Sequence, residues 1–106
     1  MTVLRIFQKD GLNVGFSCSG HSGYAEEGQD IVCAAISTAV QYCVNCGEQI
    51  DRIPLELSTD PENALIQCVA KEPHSGFSKH IEILLSLGET LAKEYANYFK
   101  LEITEV

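Results

Sequence analysis

Residues 1–19, MTVLRIFQKDGLNVGFSCS, decide the fold. Two stretches of apolar and β-branched residues, Met1 to Gln8 and Leu12 to Ser19, are separated by Lys9-Asp10-Gly11. A short Asp-Gly turn between two such stretches reads as a β-hairpin. In the second stretch Leu12, Val14, Phe16 and Cys18 alternate with Asn13, Gly15, Ser17 and Ser19. Cys18 is therefore expected to point into the core with the apolar set.

Working outward, Gly20 to Gln29 contains three glycines and no apolar periodicity, which describes a loop, expected to be mobile. From Asp30 the spacing of Val32, Ile36, Ala39, Val40 and Cys43 predicts a helix that stops at Gly47. Ile53, Leu55 and Leu57 alternate with polar residues and Pro54, marking a strand at a sheet edge. Thr59 to Asn63 reads as a turn and Ala64 to Lys71 as the answering strand. A second helix is expected from about Ser78, with Ile81, Leu84, Leu87, Leu91 and Tyr95 on one face, and Phe99, Leu101 and Ile103 close the chain as a strand. The order ββαββαβ predicts an α+β fold in two layers, a mostly antiparallel sheet with two helices on one face.

With 106 residues and a hydrophobic fraction of 45%, the chain is expected to form a single domain over residues 1–106. The first residues lack the apolar stretch of a signal peptide, and no run approaches a membrane span, so a cytoplasmic location is the default. Five cysteines, an odd number without a secretory signal, are expected to be reduced. Fifteen acidic against seven basic side chains give a charge of −8, which argues against a nucleic-acid surface and against anionic membranes and favours a basic partner.

The chemistry concentrates in Gly20 to Ser37, GHSGYAEEGQDIVCAAIS. If Asp30 is the N-cap, Cys33 sits in the first helical turn, where orphan backbone N–H groups and the dipole favour a thiolate. His21, in a glycine-bracketed loop leading into the same helix, would take the thiol proton and return it to a leaving amine. Against this stands the commoner role of a lone cysteine as a small hydrophobe and of a loop histidine as a solvated residue. Asp30 either caps the helix or orients the imidazole, and Ser37, one turn after Cys33, either assists the thiolate or bonds its own helix. Backbone N–H groups at the helix start are the expected oxyanion donors. Glu26 and Glu27 form an acidic lip that keeps the loop soluble or steers a basic substrate.

Cys43-Val44-Asn45-Cys46 is a CxxC, but a helix C-terminus disfavours thiolate, and zinc would need two more ligands from Cys18, Cys68, His74 or His80 at no common spacing. Packing is the expected role of the pair, and no metal or cofactor is expected. His74 and His80 flank Ser75-Gly76-Phe77, read as a second loop with solvated histidines.

The string GHSGYAEEGQDIVCAAIS resembles the signature of the ribosomal-processing cysteine protease family, Prp, in which a GHxG loop is paired with a DIVCAAxS helix start. The resemblance implies a homodimeric cytoplasmic endopeptidase that removes a short N-terminal extension from a large-subunit ribosomal protein precursor. On this resemblance the nucleophile falls on Cys33, the general base on His21, and the assisting aspartate and serine on Asp30 and Ser37. The substrate flap falls on Gly20 to Gly28, including Ser22 and Gly23. Two rivals compete with it: a non-catalytic ribosome-assembly or interaction module that docks a basic tail, and a redox protein working through Cys43 and Cys46.

Overall fold

The computed structural model describes residues 1–26 and 28–106. Glu27, one half of the expected acidic lip, lies outside the described residues. Strands β1 (Thr2–Lys9) and β2 (Leu12–Ser19) form the hairpin, in a register that sets Leu4 against Cys18 and Ile6 against Phe16. Asp10 and Gly11 both take positive φ, 52° and 81°, the pair of values that lets a two-residue turn follow the strand twist. Helix α1 (Ile31–Asn45), strands β3 (Leu55–Asp60) and β4 (Leu65–Ala70), helix α2 (Ser75–Glu94) and strand β5 (Phe99–Glu105) complete the order ββαββαβ.

The five strands line up as β3-β4-β2-β1-β5. Neighbours are antiparallel except β1 and β5, which run parallel because the α2 crossover returns the chain to the far side of β1. Leu4, Ile6, Phe16, Cys18 and Cys68 from the sheet meet Val32, Ile36, Val40 and Cys43 of α1 and Phe77, Ile81 and Leu84 of α2 in one buried cluster. Both helices therefore cover one face. Each aliphatic or aromatic side chain among them contributes about 1.5–3 kcal/mol on burial, which makes this cluster the main stabilising term. All five cysteines are free.

Three boundaries differ from the sequence reading, each for a local reason. The chain does not leave helical geometry at Gly47 but runs on through a wide π turn, Cys46–Ile50. The left-handed residue that ends it is Arg52, φ 54°, after which the Ile53 N–H returns to the Gly47 carbonyl at 3.1 Å. Gly47 is small because Leu55 and Phe77 press on it: a Cβ there would lie 2.9 Å from each. Helix α2 starts three residues early, since His74 is its N-cap and its Nδ1 accepts the Phe77 N–H at 3.1 Å.

The expected His74–His80 loop is thus a first helical turn. His74 is half-buried, and His80 Nε2 lies 3.2 Å from Asp51 Oδ2, at ion-pair distance though not aligned as a hydrogen bond. The third change is β3, which begins after Pro54 and extends through Asp60, with Pro61–Asn63 as a short 3-10 turn. It is an edge strand, as expected, with Pro54 just before its start. Among the described residues no helix is long and apolar enough to cross a membrane.

Candidate active site

Strand β2 ends at Ser19, and Gly20 turns the chain out of the sheet with φ 84°. Its N–H donates to the Asn63 carbonyl at 3.2 Å and its carbonyl accepts the Thr2 hydroxyl at 3.3 Å. The root of the loop is thereby fixed to β1 and to the Pro61–Asn63 turn that precedes β4. The loop then runs to Asp30, which caps α1 with φ −87°, ψ 101°.

Asp30 organises the whole loop. Its Oδ1 accepts the N–H groups of Val32 and Cys33, both at 3.0 Å, as an N-cap should. Its Oδ2 accepts the Ser22 hydroxyl and the N–H groups of Tyr24 (3.2 Å) and Ala25 (3.4 Å). Chiefly the Ser22 hydrogen bond, then the Cys33, Ala25 and Val32 N–H groups, hold the carboxyl at about 2, well below the usual carboxylate range. Both oxygens are spent on the cap and the loop, and the carboxylate makes no hydrogen bond to His21. Of the two roles open to it, the geometry displays the cap.

Tyr24 anchors the loop tip edge-on against Tyr95 and Tyr98, ring centroids 5.5 and 5.3 Å away. Gln29 N–H closes the other end on the Glu26 carbonyl at 2.9 Å. A loop expected to be mobile is thus held at several points.

Cys33 occupies the third position of α1 and is the one cysteine of the five that is not buried. Its sulfur accepts the Ser22 N–H at 3.4 Å and donates to Ser22 Oγ at 3.6 Å. These are its polar partners among the described residues. His21, exposed, and Ser37, exposed and one turn further along α1, line the same cavity as Cys33 without hydrogen-bonding to it. Three of the four first-turn N–H groups expected to hold an oxyanion are committed instead: Val32 and Cys33 to Asp30 Oδ1, and Ala34 to the Asp30 carbonyl at 3.0 Å. That expectation is narrowed, because the cap takes the Val32 and Cys33 donors.

The cavity has a volume of about 650 Å³, a size that takes several residues of an extended peptide. Gly20, Gly23 and Gly28 of the loop form one rim. Ile36, Val40 and Gln41 of α1 form the floor, and Ala64 and Ile66 the opposite wall. The α1 side could be read from helical spacing after Cys33. The other wall could not, since it depends on β4 pairing with β2.

The remaining thiols are packed away. Burial pushes Cys18 up to about 11, with neighbouring Cys33 adding to it. Burial first, then Cys68 and Cys46, pushes Cys43 up to about 12, and burial first, then Glu48, pushes Cys68 up to about 11. The CxxC lies inside the core, Cys43 and Cys46 both buried. Iodoacetamide at neutral pH should accordingly add one label per folded chain, on Cys33, with the other four appearing only after denaturation. Intact mass reads this directly, and two or more rapid labels would contradict the packing.

A family model described as cysteine protease Prp matches residues 1–100. No curated protein matches. Among solved structures, the chain resembles the essential ribosomal processing protease Prp from S. aureus in complex with a covalently linked product peptide: TM-score 0.90, 21% identity, covering 98% of this chain and 100% of that one. The same protease with a substrate peptide gives TM-score 0.84 at 20% identity, covering 98% and 100%. SMU.848 from Streptococcus mutans gives 0.83 at 22% identity, covering 100% of this chain and 96% of that one.

Proposed function

The chain belongs to the cysteine protease Prp family, and from that premise we propose that it is an endopeptidase which removes a short N-terminal extension from a large-subunit ribosomal protein. Cys33 is the nucleophile and His21 the general base, with Asp30 and Ser37 in support. The observation that carries the reading is an accessible thiol in the first turn of a helix, in a cavity also lined by a histidine.

The reaction is acyl transfer. His21 takes the Cys33 proton, the sulfur attacks the scissile carbonyl, and the amine leaves with the proton returned by the imidazolium. Water then cleaves the thioester to regenerate the thiol. The S. aureus protease is known with a covalently linked product peptide, which fits a covalent route carried over to this chain. His21 reaches the sulfur when substrate displaces the Gly20 to Gly28 flap.

The cavity supports an apolar peptide: Ile36, Val40, Ala64 and Ile66 supply aliphatic walls, and among the described residues Asp30 is the one carboxylate that lines it. The charge of −8 suits a basic ribosomal partner and a cytoplasmic setting away from anionic lipid. One domain covers the chain, working as a homodimer, which would cover the exposed Tyr42, Ile83 and Leu87 beside the α1–α2 groove.

The test is incubation of the purified protein with the ribosomal protein bearing its extension, followed by intact mass. A single truncation at one bond is expected. Stable binding with no cleavage would replace this reading with the assembly module.

A further inference from the structure

We propose that Ser22 is a positioning residue that parks the Cys33 thiol in its neutral form while the cavity is empty, because its own hydroxyl proton is committed to Asp30. The proposal rests on the reading of Cys33 as the nucleophile. Ser22 stands at the variable position of the GHxG motif, so nothing in that motif asks for a hydroxyl there. Yet the residue is only 3% exposed, and a buried hydroxyl must account for its proton and both its lone pairs.

The accounting closes in one way. The hydroxyl has one proton and three neighbours: Asp30 Oδ2, Cys33 Sγ at 3.6 Å and the Tyr24 N–H at 3.3 Å. A carboxylate is a far stronger acceptor than a thiol sulfur, so the proton goes to Asp30. The lone pairs then receive the Tyr24 N–H and the Cys33 S–H.

Sulfur thus faces an oxygen lone pair with a carboxylate directly behind it. A hydrogen bond donated by the neutral form stabilises that form, and the single Ser22 N–H at 3.4 Å is the donor that favours the anion. Ser22 adjoins His21 on the same loop. Displacing that loop removes the acceptor from the thiol as it brings the base toward it, so the nucleophile is released only when substrate is in place. Among the described residues nothing else in the loop links sulfur to Asp30.

The test is the pH profile of Cys33 alkylation by iodoacetamide in the full chain, read by intact mass and peptide mapping between about pH 5 and about pH 9. Ser22→Ala should shift the profile to lower pH and raise the rate near neutrality about fivefold, the equivalent of one ordinary hydrogen bond. Ser22→Thr, which keeps the hydroxyl, should restore the original profile. An unchanged or upward-shifted profile in Ser22→Ala would overturn the proposal, since the hydroxyl would then be serving the thiolate or nothing.

Asp30→Asn provides a second route: should Ser22→Ala fail to fold, an unchanged or upward-shifted profile in Asp30→Asn alone overturns the proposal, and where Ser22→Ala folds the two are combined. Asparagine keeps an oxygen for the helix cap but presents an amide N–H to Ser22, freeing the hydroxyl proton for sulfur. It too should shift the profile down, and by less on the Ser22→Ala background. An equal shift on both backgrounds would sink the idea. Because the label reports Cys33 whether or not a peptide is cut, a shift without peptidase activity would discard the proteolytic reading and keep the parking contact; cleavage without a shift would do the reverse.

Discussion

Cys33→Ala is expected to leave the extended ribosomal protein uncut, with cleavage lower by at least about 10⁴-fold, the loss typical when a nucleophile of this kind is removed. In the proposed mechanism the sulfur bonds to the acyl group, and its described neighbours are poor substitutes: Ser37 is a turn away, the Ser22 hydroxyl is tied to Asp30, and the Cys18 thiol is buried and pushed up to about 11. The fold should survive. Cys33 is partly exposed at the cavity, and loss of one sulfur there leaves no closed void, so the thermal midpoint should stay within a few degrees. His21→Ala should cost about 10²–10⁴-fold, the range of a lost general base. The double variant should be no worse than Cys33→Ala alone, because the two residues act on one proton transfer. Cleavage by Cys33→Ala at the original rate would move the nucleophile elsewhere, and a strictly additive double variant would separate His21 from the thiol.

The elements of the fold were legible where a residue acts through its nearest neighbours in the chain. Alternation in β2 and the Asp10-Gly11 turn announce the hairpin, and Asp30 followed by the Val32, Ile36, Val40 stripe announces α1. The reading failed where tertiary contacts assign an unusual residue to a usual job. An imidazole rather than a hydroxyl or carboxylate caps α2, which made His74-Ser75-Gly76 look like loop. Arg52 rather than Gly47 takes the left-handed end of the first helical segment, because Gly47 is needed under Phe77.

The site divides along the same line. Cys33 and Asp30 are local to one helix start, and their relation follows from spacing alone. The Ser22 contact crosses eleven residues and depends on how Oδ2 of Asp30 folds the loop back, so the motif position showed no sign of it. The Ala64–Ile66 wall depends on sheet order, which the sequence pattern left open. The oxyanion expectation is narrowed for a related reason: counting donors at a helix start does not reveal that the cap itself takes those of Val32 and Cys33.

Gly20→Ala should be the most damaging small change in the loop, lowering both stability and activity. Gly20 holds φ 84°, a conformation that costs an alanine about 1–2 kcal/mol. A Cβ there would also be driven into the Met1 carbonyl oxygen, a backbone atom next to the start of β1 that cannot swing aside as a side chain would. Overpacking of this kind adds about 1–3 kcal/mol, for a total of about 3 kcal/mol and a fall in midpoint of roughly 10–20 °C. Gly23 provides the control. It has φ 74° but nothing within 4 Å of a built Cβ, so Gly23→Ala carries the conformational cost alone, about 1 kcal/mol. The two differ by the collision, and the collision is also what reaches the chemistry, since relieving it must shift the peptide next to His21 away from the Asn63 and Thr2 contacts that fix the loop root. Gly20→Ala should therefore lose cleavage even at temperatures where it is fully folded, whereas Gly23→Ala should keep most of it. Melting curves and a cleavage assay well below both midpoints separate the effects; equal losses for the two variants would mean that φ strain alone governs this loop and that its root does not position His21.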